Sequence, residues 1–221
     1  METLLPNVDW PEIWQASLDT LYMIAGTMPF TVLLGLPLGV LLFLIGPKQM
    51  FEHKPLYAAV AAIVNILRSI PFVILLILLI PTTVLITGTS LGVAGAIPPL
   101  VVGATPFFAR LVETALREVD RGIIEATQAM GASPRQIIFN ALLPEALPGI
   151  LAAVTVTVIT LVSYTAMTGL IGGGGLGDLA VRYGYQRYQT DVMFVTVALL
   201  VVLVQILQTI GDRLVVHFSR K

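Results

Sequence analysis

Long stretches without a charged residue alternate with short polar clusters along this 221-residue chain. One uncharged stretch runs for 28 residues from Thr20 to Pro47, and another runs for 41 residues from Ser69 to Ala109. A membrane-spanning helix needs about 20 apolar residues, and the longer stretch as one helix would reach roughly 60 Å, twice the thickness of the hydrocarbon core. It must therefore turn, and Thr87-Gly88-Thr89-Ser90 supplies the glycine and hydroxyl residues of a tight turn.

The pattern predicts an all-α integral membrane protein with five transmembrane helices, and we expect one membrane domain over residues 1–221. The predicted spans lie at about residues 20–46, 57–86, 91–112, 147–170 and 192–212. Acidic residues and no Lys or Arg precede the first span, so we expect an uncleaved helix there rather than a signal peptide.

Composition excludes several classes of protein. Apolar residues make up 57% of the chain and charged residues 11%, against roughly 45–50% and about 25% in a typical soluble domain, so neither a soluble nor a disordered protein is expected. A net charge of −1 provides no strongly basic face for nucleic acid. Without cysteine there is no disulfide framework and no thiol nucleophile. His53 and His217 have no neighbour at metal-ligand spacing, so we expect no metal site.

Basic residues predict the orientation, because Lys and Arg in short loops are retained on the cytoplasmic side. Five spans place two of them, Arg182 and Arg187, on one side of the membrane and nine on the other. The nine are Lys48, Lys54, Arg110, Arg117, Arg121, Arg135, Arg213, Arg220 and Lys221. We therefore expect the N-terminus outside, and we expect the C-terminus and the segment between the third and fourth spans in the cytoplasm.

This segment, residues 113–144, carries mixed charge and a periodic set of apolar residues. The apolar positions step by three or four, which is the spacing of one helical face, and they are Val112, Leu116, Val119, Ile123, Ala126 and Met130. Gly131 stands where a helix would end in a left-handed residue. Ser133, Pro134 and Gln136 have the arrangement of a capping box that starts a second helix, and we expect that helix to stop before Pro144. From periodicity alone, a connector lying on the membrane surface is an equally good interpretation.

A motif in this segment decides between the two interpretations. Glu125-Ala126-Thr127, Gly131 after three further residues, and Leu143-Pro144 resemble the EAA loop of binding-protein-dependent ABC importer permeases. The family pattern has Ala at the third position and Ile two residues before Leu-Pro, where this chain has Thr127 and Ala141. Within that family, the stretches 65–72, 125–149 and 173–177 resemble the methionine-uptake permeases.

The resemblance implies a non-catalytic permease subunit in the cytoplasmic (inner) membrane that carries D- and L-methionine. It implies a homodimer on two copies of an ATP-binding subunit, fed by an extracytoplasmic methionine-binding protein, with ATP and Mg²⁺ on the ATPase and no cofactor in this chain. It makes residues 113–144 a two-helix coupling loop, whose contact residues with the ATPase would be Glu125, Ala126, Thr127, Met130, Gly131, Ala132, Leu143 and Pro144.

Two spans contain candidates for the translocation pathway. Arg68 is a charge that the pattern places near the middle of the second span, where it should have a buried partner or a wet cavity. The fourth span is rich in hydroxyl residues, which serve equally well for packing between helices or for lining a pore. The family resemblance favours the pore, with Ser163, Tyr164 and Met167 as lining or gating residues. Tyr164 and Met167 are three apart, so we expect them on one helical face.

Other functions fit the sequence less well. The glycines of residues 172–177 formally match a dinucleotide motif, but they follow a membrane span, so a tight turn with close backbone approach is the better interpretation. A secondary transporter usually needs intramembrane carboxylates, and none lies centrally in a predicted span. An intramembrane hydrolase would need a Ser-His or paired Asp arrangement that the spans lack. A permease for another small amino acid remains the main alternative.

Overall fold

The computed structural model describes residues 5–219, and these residues form helices and turns without a β-strand. Arg220 and Lys221, which contribute to the predicted charge asymmetry, lie outside the described residues. The α-helices are α1 (Trp10–Ile45), α2 (Lys54–Ser69), α3 (Phe72–Leu78), α4 (Ile80–Thr87), α5 (Gly92–Arg117), α6 (Arg121–Ala129), α7 (Pro134–Gln136), α8 (Leu143–Thr168), α9 (Gly175–Leu179) and α10 (Thr190–Phe218). Two π-helical turns (Ile137–Leu142 and Ala180–Tyr185) and one 3-10 turn (Gly169–Ile171) join them.

Four helical runs of the described chain are long and apolar enough to cross a membrane, or up to five if one broken helix pair counts as a span. The four are Trp10–Ile45, Gly92–Arg117, Pro134–Ile171 and Thr190–Phe218, and the broken pair is Lys54–Ser69 with Phe72–Leu78. The all-helical membrane class predicted from the sequence is therefore confirmed.

The second predicted span is not one continuous helix over residues 57–86. It breaks after Ser69 and resumes at Phe72, because Pro71 has φ −55° and ψ 132° and restricts the residue before it to non-helical geometry. A further break at Leu79 separates α3 from α4. The turn predicted at residues 87–90 is confirmed, since Gly88 ends α4 with φ 78°.

By the density of internal contacts, the chain divides into two compact units, and the first comprises Met1–Thr31, Ile70–Ala104 and Val158–Gln208. Its main core contains Met23, Leu76, Leu100 and Leu161, each at most 1% exposed. Glycine allows close helix approach here, because a Cβ on Gly103 would lie 3.1 Å from the ring of Phe72.

The second unit comprises Val32–Ser69, Thr105–Thr157 and Thr209–Lys221. Its core is built from α1, α5, the first π-turn and α8, and includes Phe43, Phe108, Leu116 and Leu142. Gly39 brings the backbone of α1 onto α5, because a Cβ at this position would lie 2.6 Å from the carbonyl oxygen of Ala109.

Residues 113–144 do contain the predicted helix pair, but its boundaries differ. The apolar stripe from Val112 to Met130 is divided between α5 and α6, since the chain leaves the helix after Arg117 and Asp120 starts a new one. The Asp120 carboxylate accepts a hydrogen bond from the Gly122 N–H at 2.8 Å, which is the function of an N-cap. The stripe pattern could not locate this break because both helices keep the same spacing.

The second helix of the pair does not stop before Pro144. The capping box at Ser133 and Gln136 is confirmed, but the helix passes through a π-turn directly into α8. Within that turn the Leu143 N–H donates to the carbonyl of Ile138, five residues back. The wider turn accommodates Pro144, which has no N–H to donate and whose ring would crowd the preceding turn of a regular α-helix.

Candidate functional site

The EAA-type residues lie on α6, on the turn after it and at the start of α8. Glu125, Ala126 and Met130 are exposed, and Met130 is 79% exposed. Thr127 is half-buried and turns its hydroxyl inward, donating to the Ile123 carbonyl at 2.6 Å. The segment therefore presents a carboxylate and a thioether outward on one short helix.

Gly131 forms the corner between the two helices of this segment. Its φ is 80°, in the left-handed region, and its N–H donates to the Gln128 carbonyl at 2.9 Å. No atom lies within 4 Å of the position that a Cβ would occupy, so the backbone conformation alone favours glycine. The glycine corner expected from the sequence is confirmed.

A surface groove of about 470 Å³ lies at this corner and brings together four of the eight residues predicted to contact an ATPase. Its lining is Thr127, Met130, Gly131, Ala132, Gln136, Asn140 and Ala141. Glu125 lines a different cavity of about 230 Å³ instead, where Lys48 and Arg121 lie together with apolar side chains. Exposed Phe139, at 65%, adds a second large apolar side chain to the segment. The surface combines a concave corner, apolar side chains and charge, which suits docking of another protein.

The candidates on α8 separate into two environments within the first unit. Ser163 and Met167 line an apolar groove of about 570 Å³ with Ala166 and Leu170. Tyr164 instead stacks on Phe72, with ring centroids 4.3 Å apart and an angle of 2° between the ring planes. Tyr164 therefore does not line this groove, and its role beside Met167 stays a prediction. Ser163 and Met167 are four residues apart, so their side chains lie one above the other on the same face of α8.

Arg68 lies in the last turn of α2, directly before the break at Pro71, and not in the middle of a continuous helix. Its side chain is exposed, and its guanidinium carbon lies 5.9 Å from the centroid of the Phe107 ring, within the range of a cation–π contact. The position predicted for Arg68 changes because Ile70-Pro71 ends the helix.

The sequence analysis missed a buried ion cluster in the second unit. Glu113 is 3% exposed and forms ion pairs with Arg110 at 2.6 Å and Arg117 at 2.7 Å. Tyr57 on α2 donates its hydroxyl to the same carboxylate at 3.1 Å. The i, i+3 and i, i+4 spacing of these three charges on α5 was a usable signal, but it is equally typical of a solvated helix face. Among the described residues, no group of three or more His, Asp or Glu could hold a metal ion.

Comparison with known proteins gives the family. Residues 32–221 match the profile described as binding-protein-dependent transport system inner membrane component. The chain belongs to this family. The transport component is therefore a multi-pass membrane protein, and the family resemblance read from its EAA-type motif is confirmed.

Two curated relatives cover nearly the whole transport component. The probable D-methionine transport system permease protein MetI of Vibrio cholerae is 56% identical over 202 residues, which is 90% of this chain and 89% of the relative. The methionine import system permease protein MetP of Bacillus subtilis is 48% identical over 211 residues, covering 96% and 95% of the two chains.

Solved structures agree with the fold of the transport component. A chain of the MetNI methionine ABC transporter in an inward-facing conformation is similar with a TM-score of 0.94 and 49% identity. The match covers 96% of this chain and all of that one. A chain from an amino acid ABC transporter structure with histidines matches with a TM-score of 0.76 at 18% identity, and this likeness concerns the fold alone.

Proposed function

We propose that the transport component is the permease subunit of an ATP-driven importer that moves methionine across the cytoplasmic membrane. The observation that carries the proposal is its similarity, over 96% of its length, to a chain of a methionine ABC transporter and to relatives named as methionine permeases. The exposed corner at Gly131 supports it, since an importer permease needs a surface on which an ATPase can act. Both D- and L-methionine are proposed substrates.

The proposed assembly is a homodimer of this chain with two copies of an ATP-binding subunit and an extracytoplasmic methionine-binding protein. ATP and Mg²⁺ would bind to the ATPase, and this chain would perform no catalysis. We place the N-terminus outside and the C-terminus and residues 113–144 in the cytoplasm, from the distribution of Lys and Arg in the loops.

In the proposed mechanism, closure of the ATPase pair pushes on α6 and on the corner at Gly131. The helical run Pro134–Ile171 is continuous over 38 residues, so a displacement at its start is carried along its length. Ser163 and Met167 lie near the far end of this run and line the groove that we propose as part of the translocation pathway. Alternating access then follows from rigid-body movement of helices.

The test of the proposal is reconstitution of the permease with its ATPase and binding protein in liposomes. We expect the permease and the ATPase to co-purify and the complex to bind the methionine-binding protein. We also expect uptake of radiolabelled methionine that requires ATP on the side of the membrane that the ATPase faces. Unlabelled methionine should compete, and unlabelled histidine or glutamine should not. Uptake driven by an ion gradient without ATP would favour a secondary transporter, and competition by another amino acid would identify a different substrate.

Met167→Ala should loosen the closed pathway, because a flexible thioether that fills an irregular constriction is replaced by a methyl group. We expect higher ATP hydrolysis in the absence of methionine, or leak of substrate from loaded liposomes. Val197→Ala, at an exposed position of α10 that does not line the Met167 groove, serves as the control. Unchanged hydrolysis and unchanged leak in the Met167 variant would assign this side chain to ordinary packing.

A further inference from the structure

A buried carboxylate joins two helices of the second unit. Glu113 of α5 lies at 3% exposure between Arg110 and Arg117 of the same helix, and it accepts a hydrogen bond from the hydroxyl of Tyr57 on α2. A buried carboxylate must keep its partners, because leaving it unpaired in a medium of low dielectric constant is strongly unfavourable. The cluster is therefore a firm attachment point on α5.

Arg110 extends the attachment along α2. Its guanidinium donates to the side-chain oxygen of Asn65 at 3.0 Å and to the carbonyl of Ala61 at 3.4 Å. Tyr57, Ala61 and Asn65 are spaced by four, so they form a stripe along one face of α2 over two helical turns. Arg110 and Glu113 of α5 therefore contact α2 at Tyr57, Ala61 and Asn65, one contact site in each successive helical turn.

Apolar packing holds α2 less extensively. The structure describes α2 in full, and its buried residues are Ala61 and Val64, which pack with Leu42 of α1. In contrast, Val112 and Leu116 of α5 are fully buried in the main core of the second unit, with Leu142 of the 113–144 segment. Helix α5 is therefore firmly part of that core, whereas α2 depends for its position on a small apolar contact and on the Glu113 cluster.

The two ends of this connection have different functional assignments. Three residues separate the end of α5 from α6, and α6 carries the proposed ATPase contact. Helix α2 ends at Ser69, the residue after Arg68. We propose that the Glu113 cluster is a clamp that makes α2 move with α5, so that displacement at the 113–144 segment is passed to α2 and to Arg68. The proposal rests on the proposed function, and Glu113, Arg110 and Tyr57 are positioning residues in it.

The variant that tests the clamp is Tyr57→Phe combined with Asn65→Leu. It removes three of the four polar contacts from α2 and leaves both ion pairs on α5 intact, so the buried charges stay paired. Tyr22→Phe, which removes an exposed phenolic hydroxyl on α1, is the control for the tyrosine change.

The nucleotide dependence of the distance between the two helices separates a clamp from a purely structural role. The chain has no cysteine, so cysteines placed at Ile63 on α2 and Thr114 on α5, both exposed, can be spin-labelled specifically. Labelled permease is diluted with unlabelled permease in the assembled complex, and pulsed EPR distances are measured without nucleotide and with ATP and vanadate. We expect one narrow distance in both states, and in the double variant a broad distance that changes with nucleotide.

The same double variant should lower methionine uptake per ATP hydrolysed by roughly tenfold, with assembly and ATP hydrolysis retained. An unchanged distance distribution together with unchanged uptake per ATP would overturn the clamp. Loss of assembly or of thermal stability, with normal uptake per ATP in the complexes that remain, would overturn it too, because the cluster would then serve folding alone. Absence of methionine uptake by the unmodified complex would overturn the proposed function, whereas the label distances would still report on the clamp.

Discussion

Replacing Gly131 with valine is expected to reduce capture of the partner ATPase by purified permease at least about tenfold, and methionine uptake with it. The cause is backbone strain. Gly131 has φ 80°, and a residue with a Cβ in left-handed geometry costs about 1–2 kcal/mol, with a larger cost for a β-branched side chain. Because space around this position is open, the chain would relieve the strain by turning the corner differently, and α6 would leave its docking orientation.

Four further variants separate the effect of backbone strain from the effect of losing a contact. Gly131→Ala adds strain with almost no bulk and should reproduce much of the effect, whereas Gly131→Asn should retain more binding, because asparagine tolerates the left-handed region. Ala129→Val places the same valine side chain at an exposed helical position and should have little effect. Glu125→Gln should weaken capture less than Gly131→Val, since the exposed carboxylate would contribute a single charge-assisted contact to the proposed ATPase interface.

The measurement is pull-down of the ATPase by detergent-solubilised permease variants, alongside uptake in liposomes. Membrane insertion should be normal for every variant, because the changes lie outside the apolar spans. If Gly131→Val and Glu125→Gln both capture the ATPase fully and both transport normally, the 113–144 segment is a connector and the proposed coupling is wrong.

Gly177→Val is expected to prevent stable folding of the corner that holds α9 against α8. A Cβ at Gly177 would lie against the Cα of Ala166 and 2.5 Å from its carbonyl oxygen, and neither backbone atom can move aside as a flexible side chain could. Overpacking of this kind costs about 1–3 kcal/mol or more. Ala166 lines the same groove as Ser163 and Met167, so the displacement would fall on the proposed pathway.

We expect Gly177→Val to lower both the thermal midpoint and the yield of monodisperse permease in detergent, and to abolish methionine uptake. Ala198→Val is the control for stability, because it places the same valine side chain at an exposed position of α10, where it meets no packed backbone. A Gly177→Val protein with the thermal midpoint of the unmodified chain would contradict the close packing of α9 on α8.

The close approach at Gly177 belongs to the glycine-rich stretch of residues 172–177. The sequence predicts a tight turn for the formal dinucleotide motif in residues 172–177, because the stretch follows a membrane span rather than a strand. The structure confirms that interpretation, with positive φ at Gly172, Gly174 and Gly175 and with the backbone of Ala166 against Gly177. The order of elements along the chain was sufficient to predict the turn, since a dinucleotide-binding fold needs a strand before the glycine motif.

Context was insufficient for Arg68. The uncharged stretches predict that this arginine lies inside a span, but hydropathy averages over many residues and does not register a single helix break. Pro71 and the restricted residue before it end α2 at Ser69, so Arg68 lies at a helix terminus with an aromatic neighbour. Proline was visible in the sequence, yet proline also occurs inside intact membrane helices, and Pro148 of α8 is an example.

The amino-acid sequence alone predicts the helical membrane class, the family and the glycine corner of the 113–144 segment. Each of these depends on residues that are near neighbours along the chain, through hydropathy, capping or a required backbone conformation. Tertiary contacts alone show that Met167 shares a groove with Ser163 and not with Tyr164, and that Glu113 connects two helices through Tyr57. Those contacts join residues on separate helices, and the rotation of one helix against another depends on packing that no local pattern encodes.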